Sequence, residues 1–257
     1  MNREGHRGLS QSTLRSVVDS RRHRGPHPLD AELFSAEATP RLKQAVADLS
    51  WLRSRGYAEP SATKLVGDRY QLRQRQRVAV GRCACADAAK TSREARRIGE
   101  SSVAGRHLAI DGLNVITTIE VALAGGVLII GRDGCLRDMA SFHGSYRLVH
   151  ETERAVEIVV RLVHSMRPAT ATIYIDQPVS NSGRLAEVIR RTASVTGSNI
   201  TAQTAHDVDG ILMGSESTVA TADSAILDVC GSWISLARVA VERHEEQLAP
   251  LWLLDLS

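Results

Sequence analysis

Three aspartates each stand at the end of a short apolar run. Asp111 closes residues 107–110, Asp176 closes 171–175, and Asp223 follows 217–221. If these runs are parallel strands, their C-terminal ends share one edge of a sheet, the edge at which open α/β sheets bind ligands. Carboxylates gathered there repel one another unless a cation sits among them. Hard oxygen donors of this kind suit Mg2+ or Mn2+. Such ions activate water and stabilise phosphoryl oxygens during phosphodiester hydrolysis. Asp207 and Asp209 precede the last run and offer a fourth carboxylate, with either residue able to supply it. Asn114, three positions after Asp111, suits a helix cap or the orientation of a phosphate or metal-bound water. A single Asp at a strand end is commonly a cap or turn former. Three on one edge weigh against that explanation for the set.

A second group lies in residues 132–147, Arg-Asp-Gly-Cys-Leu-Arg-Asp-Met-Ala-Ser-Phe-His-Gly-Ser-Tyr-Arg. Its polarity and length read as a functional loop leaving a strand at the ligand edge. In that reading Arg137, His143 and Arg147 grip phosphates, the arginines bidentately, and Asp133 or Asp138 joins the metal site. Local salt bridges within a polar loop are the plainer alternative. Ser180 and Ser182 follow Asp176 and precede a helix, where they either cap it or help its free N–H groups hold a phosphate.

The elements that must position these residues follow from periodicity. Leu42, Val46, Leu49 and Leu52 place a helix over residues 41–56, stopped at Gly56. A second helix starts at Pro60 and breaks at Gly67, and a third covers 72–83 with Arg73, Arg75, Gln76 and Arg77 on its polar face. The pair has a helix-turn-helix outline. Residues 1–40 read as a disordered basic tail and 87–105 as a linker. Beyond them, apolar runs alternate with helical patterns: strand 107–110, helix 114–124, strand 127–130, helix 151–166, strand 171–175 and helix 185–196. Strands at 200–204 and 217–221 follow, then the start of a helix at 224–229 and a strand at 252–254. Alternating strands and helices imply right-handed crossovers and a parallel sheet with both faces covered. The expected fold is therefore α/β, a Rossmann-like domain over 106–245, preceded by a small all-α domain over 41–86, with residues 246–257 a tail or strand.

Composition sets the outer limits. Apolar residues make up 43% of the 257 residues, enough for a core, but aromatics are only 4%, so the core is aliphatic. No run of 18 apolar residues occurs, so no spanning helix is expected, and no apolar stretch follows the basic N-terminus to make a secretory leader. Cys83, Cys85, Cys135 and Cys230 are too few and too irregular for a disulfide framework. Cys83 and Cys85 are one residue apart, where a zinc knuckle has two to four. A cytoplasmic location is the expectation. Residues 1–106 carry 21 Lys/Arg against 11 Asp/Glu, while 107–257 carry 11 against 18. A basic half joined to an acidic half suggests nucleic-acid contact by the first. P-loop, HExxH, GxSxG and strand-following GxGxxG motifs are absent.

The run Ile110-Asp111-Gly112-Leu113-Asn114-Val115 resembles the opening motif of the PIN/NYN-like nuclease superfamily. Ile173-Tyr174-Ile175-Asp176 and Ala220-Thr221-Ala222-Asp223-Ser224 resemble its internal and late acidic positions, and Asp207-Val208-Asp209 its penultimate one. More closely, residues 41–243 resemble a prokaryotic family pairing a family-434 region of unknown function with a PIN-like C-terminal region. The matches include RGY…SATKLVGDRYQLRQRQR, IDGLNV, DGCLRDMASFHGSYR, IDQPVSNSG and ATADSAILD. The resemblance implies a PIN-like fold and a metal site of Asp111, Asp176, Asp209 and Asp223, with Asn114 positioning water or phosphate. The leading expectation is a Mg2+- or Mn2+-dependent nuclease acting on RNA rather than DNA, with a homodimer left open. The alternatives are a non-catalytic nucleic-acid-binding regulator and a hydrolase of small phosphate esters.

Overall fold

The computed structural model describes residues 23–140, 146–248 and 250–257. Five helices lead: α1 (Asp30–Leu33), α2 (Thr39–Ser54), α3 (Glu59–Arg69), α4 (Gln74–Cys83) and α5 (Asp87–Arg96). Then follow β1 (His107–Asp111), α6 (Gly112–Leu123), β2 (Val127–Ile130), β3 (Leu136–Asp138), α7 (Thr152–Met166), β4 (Thr170–Asp176), α8 (Ser182–Thr196) and β5 (Ile200–Ala205). The chain continues through α9 (Val208–Met213), β6 (Thr218–Ala220), α10 (Ser224–Val229), β7 (Trp233–Ile234), α11 (Leu236–Arg243) and β8 (Trp252–Asp255).

The main sheet is parallel with strand order β5-β4-β1-β6-β7. The chain builds outward from β1 to one side through β4 and β5, then to the other through β6 and β7. The crevice at such a reversal is the usual ligand position. Successive residues of β1 point to opposite faces, as the strand pleat requires. Leu108 and Ile110 enter a core shared with α6, α7, α8 and α11, whereas Ala109 enters one with α9, α10 and Trp233. Both faces are covered, which explains the continuous apolar strands.

The strand at 127–130 lies elsewhere. It forms a second sheet of order β3-β2-β8, antiparallel to β3 and parallel to β8. The leading helices pack on this sheet, with Leu42, Leu49 and Val80 sharing a core with Val127, Ile129 and Leu254. Helix α6 is the hub: ten of its twelve residues are buried, and it touches β2 and β3 as well as β4, α7 and α11.

Several expectations are corrected. Residues 23–40, read as part of a disordered tail, pack against the body: buried Asp30 takes a double hydrogen bond from Arg75 (2.5 and 2.9 Å), and Phe34 is core. Residues 1–22 lie outside the described part. Gly67 does not break α3. Its missing Cβ makes room for Arg77, whose Nη1 would lie 2.4 Å from such an atom. The expected linker contains α5. The expected loop at 132–147 contains β3, with Asp133, Cys135, Arg137 and Asp138 buried.

Candidate functional site

The switch-point edge begins at Asp111. Strand β1 passes into α6 with no intervening loop, and Asp111 caps the helix: its Oδ1 accepts from the Asn114 amide at 3.2 Å. Gly112 is needed at this junction because a Cβ there would stand 2.7 Å from the Tyr174 carbonyl oxygen and 2.8 Å from Ile173 Cγ2 of β4. The other carboxylate oxygen of Asp111 accepts from Thr221 Oγ1 at 2.9 Å. That hydroxyl also accepts from the amide of Asp223 at 3.0 Å. Asp223 caps α10 through Oδ1 alone, which takes Ala225 N (2.8 Å) and Ile226 N (3.3 Å). The helix-cap role is therefore real for both residues, and it leaves carboxylate capacity toward solvent at Asp223.

Asp111 is only 7% exposed. Burial pushes its pKa up to about 7, against hydrogen bonds from Asn114 and Thr221, and the charges of Asp223 and Asp176 raise it further. Burial also raises the Asp176 carboxyl, with Asp209 and Asp207 adding to the effect. Asp209 is raised by burial, then by Asp223 and Asp207. The four aspartates thus feel one another's charge around one edge. Asp176, Asp209, Asp223 and Asn114 line a single cleft of about 1290 Å3. Asp207 caps α9 through Gly210 N at 2.9 Å, whereas Asp209 is the one of the two that lines the cleft. Among the described residues, however, no three His, Cys, Asp or Glu side chains come close enough together to form a ready metal cage. The expected convergence of four ligands on one point is not met in this arrangement.

The leading helices also line this cleft and bring Arg53, Lys64, Arg77 and Arg82 to it. Lys64 and Arg77 pair with Asp68, and Arg53 with Glu59. Both of these acids are exposed, and Arg53, Arg77 and Arg82 also donate to the carbonyls of Ala84, Leu72 and Asp138. The face expected on α4 is partly used internally: Arg75 holds Asp30, and Gln76 donates to the Leu33 carbonyl at 2.8 Å.

Other expected site residues have different work. Arg137 does not face solvent for a phosphate. It makes its fork to buried Asp133 (2.8 and 2.7 Å) and donates from Nε to the Ala222 carbonyl at 2.9 Å. Burial alone would raise Asp133, but Arg137 and Arg93 outweigh it and hold that carboxyl well below the usual range. Ser180 Oγ donates to the Tyr146 carbonyl (3.2 Å) and Ser182 Oγ to that of Gln177 (3.2 Å); both fasten the β4–α8 connection and neither lines the cleft. Nor does Ser182 cap α8. The position before the helix is Asn181, in the left-handed region at φ 64°. Arg147 is exposed, away from the cleft lining. His143 lies outside the described residues.

Sequence reasoning missed Thr221 and Arg93. Thr221 is part of an apolar strand end, and nothing in its spacing marks it. Arg93 of α5 reaches Asp133 (2.6 Å), Asp228 (2.7 Å) and the Ser224 carbonyl (3.1 Å). With Arg137 it braces the turn that carries Asp223.

An open parallel α/β sheet with carboxylates at its switch-point edge defines the class. Within that class the chain belongs to the family described as Domain of unknown function (DUF5616), whose model matches residues 100–239, more than half of the chain. Residues 41–96 match a second family, Protein of unknown function (DUF434). No nuclease family is identified among the matches. The chain is similar to an uncharacterized protein of Methanocaldococcus jannaschii, 27% identical over 188 residues that cover 72% of this chain and 88% of that one. No solved structure matches the chain. Among the described residues no helix is long and apolar enough to cross a membrane.

Proposed function

We propose that the protein is a PIN-like, metal-dependent nuclease that hydrolyses phosphodiester bonds, acting on RNA in preference to DNA as the resemblance of its acidic motifs implies. One observation carries the reading: carboxylates of the switch-point edge and the arginines and lysine of the leading helices line one cleft. The basic residues suit the phosphate backbone, and the carboxylates suit a divalent cation.

The donor set fits Mg2+ or Mn2+ in a particular manner. It is all oxygen, and Mg2+ typically keeps several waters while touching one or two carboxylates. A cage of three closed ligands is not required for that. Asp223 and Asp209, the exposed pair, would hold the ion directly, with Asp111 and Asp176 behind them. The bound ion would supply water activation and charge neutralisation at the phosphate. Asn114 spans the site: its Oδ1 accepts from the Ala222 amide at 2.9 Å, which leaves its NH2 to orient water or a phosphate oxygen.

The test is cleavage of a labelled panel of single- and double-stranded RNA and DNA with Mg2+ or Mn2+. Activity should require the metal and fall at least about 100-fold in Asp111→Asn and Asp223→Asn, as expected when a preorganised charge is removed from a reaction centre. No cleavage of any substrate with either ion, or activity untouched by both variants, overturns the proposal.

A further inference from the structure

The leading helices bring an aromatic ring to the cleft as well as cations. Four tyrosines occur in the chain. Tyr146 is core, and Tyr70 and Tyr174 are half-buried. Tyr57 alone of the four is exposed, at 55%, and it lines the cleft. Among the described residues its side chain has no hydrogen-bond, ionic or stacking partner. In a chain with only 4% aromatic residues, this ring is one that the core does not use.

The backbone holds Tyr57 in place. Helix α2 ends in a Schellman turn: the Gly56 amide donates to the Arg53 carbonyl (3.0 Å) and the Tyr57 amide to that of Leu52 (3.2 Å). Gly56 takes the left-handed conformation that this turn needs, at φ 79°. Helix α3 then starts at Glu59, with Pro60 in its first turn. A side chain in the position of Tyr57 often packs back on the helix it ends, yet more than half of Tyr57 faces solvent. The charge around it is one-sided. Between residues 53 and 82 the lining holds Arg53, Lys64, Arg77 and Arg82 but a single carboxylate, Glu59. Arg53, Arg77 and Arg82 are engaged on backbone carbonyls and supply fixed positive charge. Lys64 is the most available, with a side chain 77% exposed and a partner, Asp68, that also serves Arg77.

A fixed, unpartnered ring amid excess positive charge fits a polyanion that offers flat rings of its own. The cleft, at about 1290 Å3, exceeds the roughly 300–1,000 Å3 of a site for one small ligand, so the occupant is a chain. Single-stranded nucleic acid has this chemistry: its bases stack on aromatic side chains while cations follow its phosphates. A duplex keeps its base faces stacked inside and has none to offer. We propose that Tyr57 is a stacking platform for an unpaired base, with Lys64 on the phosphate backbone, so that the leading helices hold single-stranded RNA. The proposal rests on the nucleic-acid part of the reading above and adds to it the state of the strand and the residues that grip it.

The test is fluorescence anisotropy of the full chain in EDTA with a short labelled RNA of mixed sequence, unpaired and as its duplex. The single strand should bind more tightly than the duplex. Tyr57→Ala should weaken the single strand roughly 5- to 100-fold, the worth of one stacked base, and leave the duplex unaffected. Tyr57→Phe should bind as wild type, because stacking needs the ring and not the hydroxyl. Lys64→Gln should lower the slope of log affinity against log salt by about 0.7, the share of one phosphate on a single strand. Both side chains are exposed, so the thermal unfolding midpoints should match wild type. Equal affinity for duplex and single strand, no saturable binding of RNA, or a Tyr57→Ala variant that binds as wild type each overturns the proposal. So does a Tyr57→Phe variant as weak as Tyr57→Ala, a salt slope unchanged in Lys64→Gln, or a Tyr57→Ala effect that sedimentation traces to the loss of a dimer. Tyr57-dependent binding without cleavage by the metal-supplied chain retires the nuclease reading and keeps the platform. Cleavage with binding indifferent to Tyr57 does the reverse.

Discussion

Asn114 Oδ1 accepts a 2.9 Å hydrogen bond from the backbone amide of Ala222, 108 positions further along the chain. The carbonyl of the same Ala222 accepts from Arg137 Nε, also at 2.9 Å. The two peptide groups that flank Ala222, just before Asp223, are thereby held, the first from α6 and the second from β3. The acidic edge is built by fixing backbone, and the carboxylates are aimed as a consequence.

The pH dependence of stability follows from Asp111. Its carboxyl is pushed up to about 7 in the folded protein by burial, from an ordinary value of 3.8. The folded state therefore holds the proton more tightly than the unfolded state. The resulting stabilisation is fully present below the unfolded pKa and is lost as pH rises through the folded value. It amounts to about 1.4 kcal/mol for every tenfold difference in proton affinity between the two states. Metal-free wild type should lose thermal stability between pH 4 and 7 relative to Asp111→Asn, which cannot ionise there. Calorimetric scans of both proteins across that window check this; a constant gap between them would refute it.

Arg93 joins α5 to the site. Replacing it with Met leaves Asp133 with one cationic partner and frees the turn at Ser224 and Asp228. Breaking a buried ion pair from one side costs about 3–5 kcal/mol, and a chain of this size shifts by about 2–4 °C for each kcal/mol. Arg93→Lys should not restore the loss, because an ammonium cannot reproduce the fork. Full rescue by Lys in a thermal melt would show that charge alone suffices.

Gly112→Ala puts a methyl group against the backbone of Tyr174 and a branched side chain of β4, neither of which yields easily. Overpacking of this kind costs about 1–3 kcal/mol. The displacement falls at the β1–α6 junction, so a fall in denaturation midpoint should accompany weakened metal dependence. A Gly112→Ala variant as stable as wild type in urea would mean that the strands part more readily than their packing suggests.

Arg24 donates from Nε to Glu120 at 2.9 Å, and the carboxyl of Glu120 also accepts from Tyr146 and Thr152 inside the core. Glu120 has no exposed surface. Burial raises its carboxyl, and Arg24 is the first of the groups that oppose that rise. Arg24→Met should destabilise the fold by about 3–5 kcal/mol at neutral pH. The deficit should shrink toward acid pH, where Glu120 protonates and no longer needs the cation. A deficit that does not change with pH in matched melts would locate the effect in packing alone.

The parallel sheet, the strands ending at Asp111 and Asp176, and helix α7 were legible in the sequence because each follows a simple rule. Buried strands read as apolar runs, and an amphipathic helix such as Thr152–Met166 shows its stripe, with Ala155, Ile158, Val159, Leu162 and Val163 all buried. Where hydrophobic burial holds an element in place, spacing reveals it. Helix α5 buries a single residue, Arg93, and β3 buries Arg137 and Asp138. Charged residues ordinarily mean exposure, so these segments read as linker and loop. Their burial is made tolerable only by partners far away in the chain: Asp133 lies 40 positions from Arg93, and Ala222 lies 85 from Arg137. The sequence by itself determined which residues ended strands and so which carboxylates shared an edge. Only the tertiary structure decided which polar residues faced that edge and which were spent holding it, because a charge is buried or exposed according to the partner that the fold brings to it.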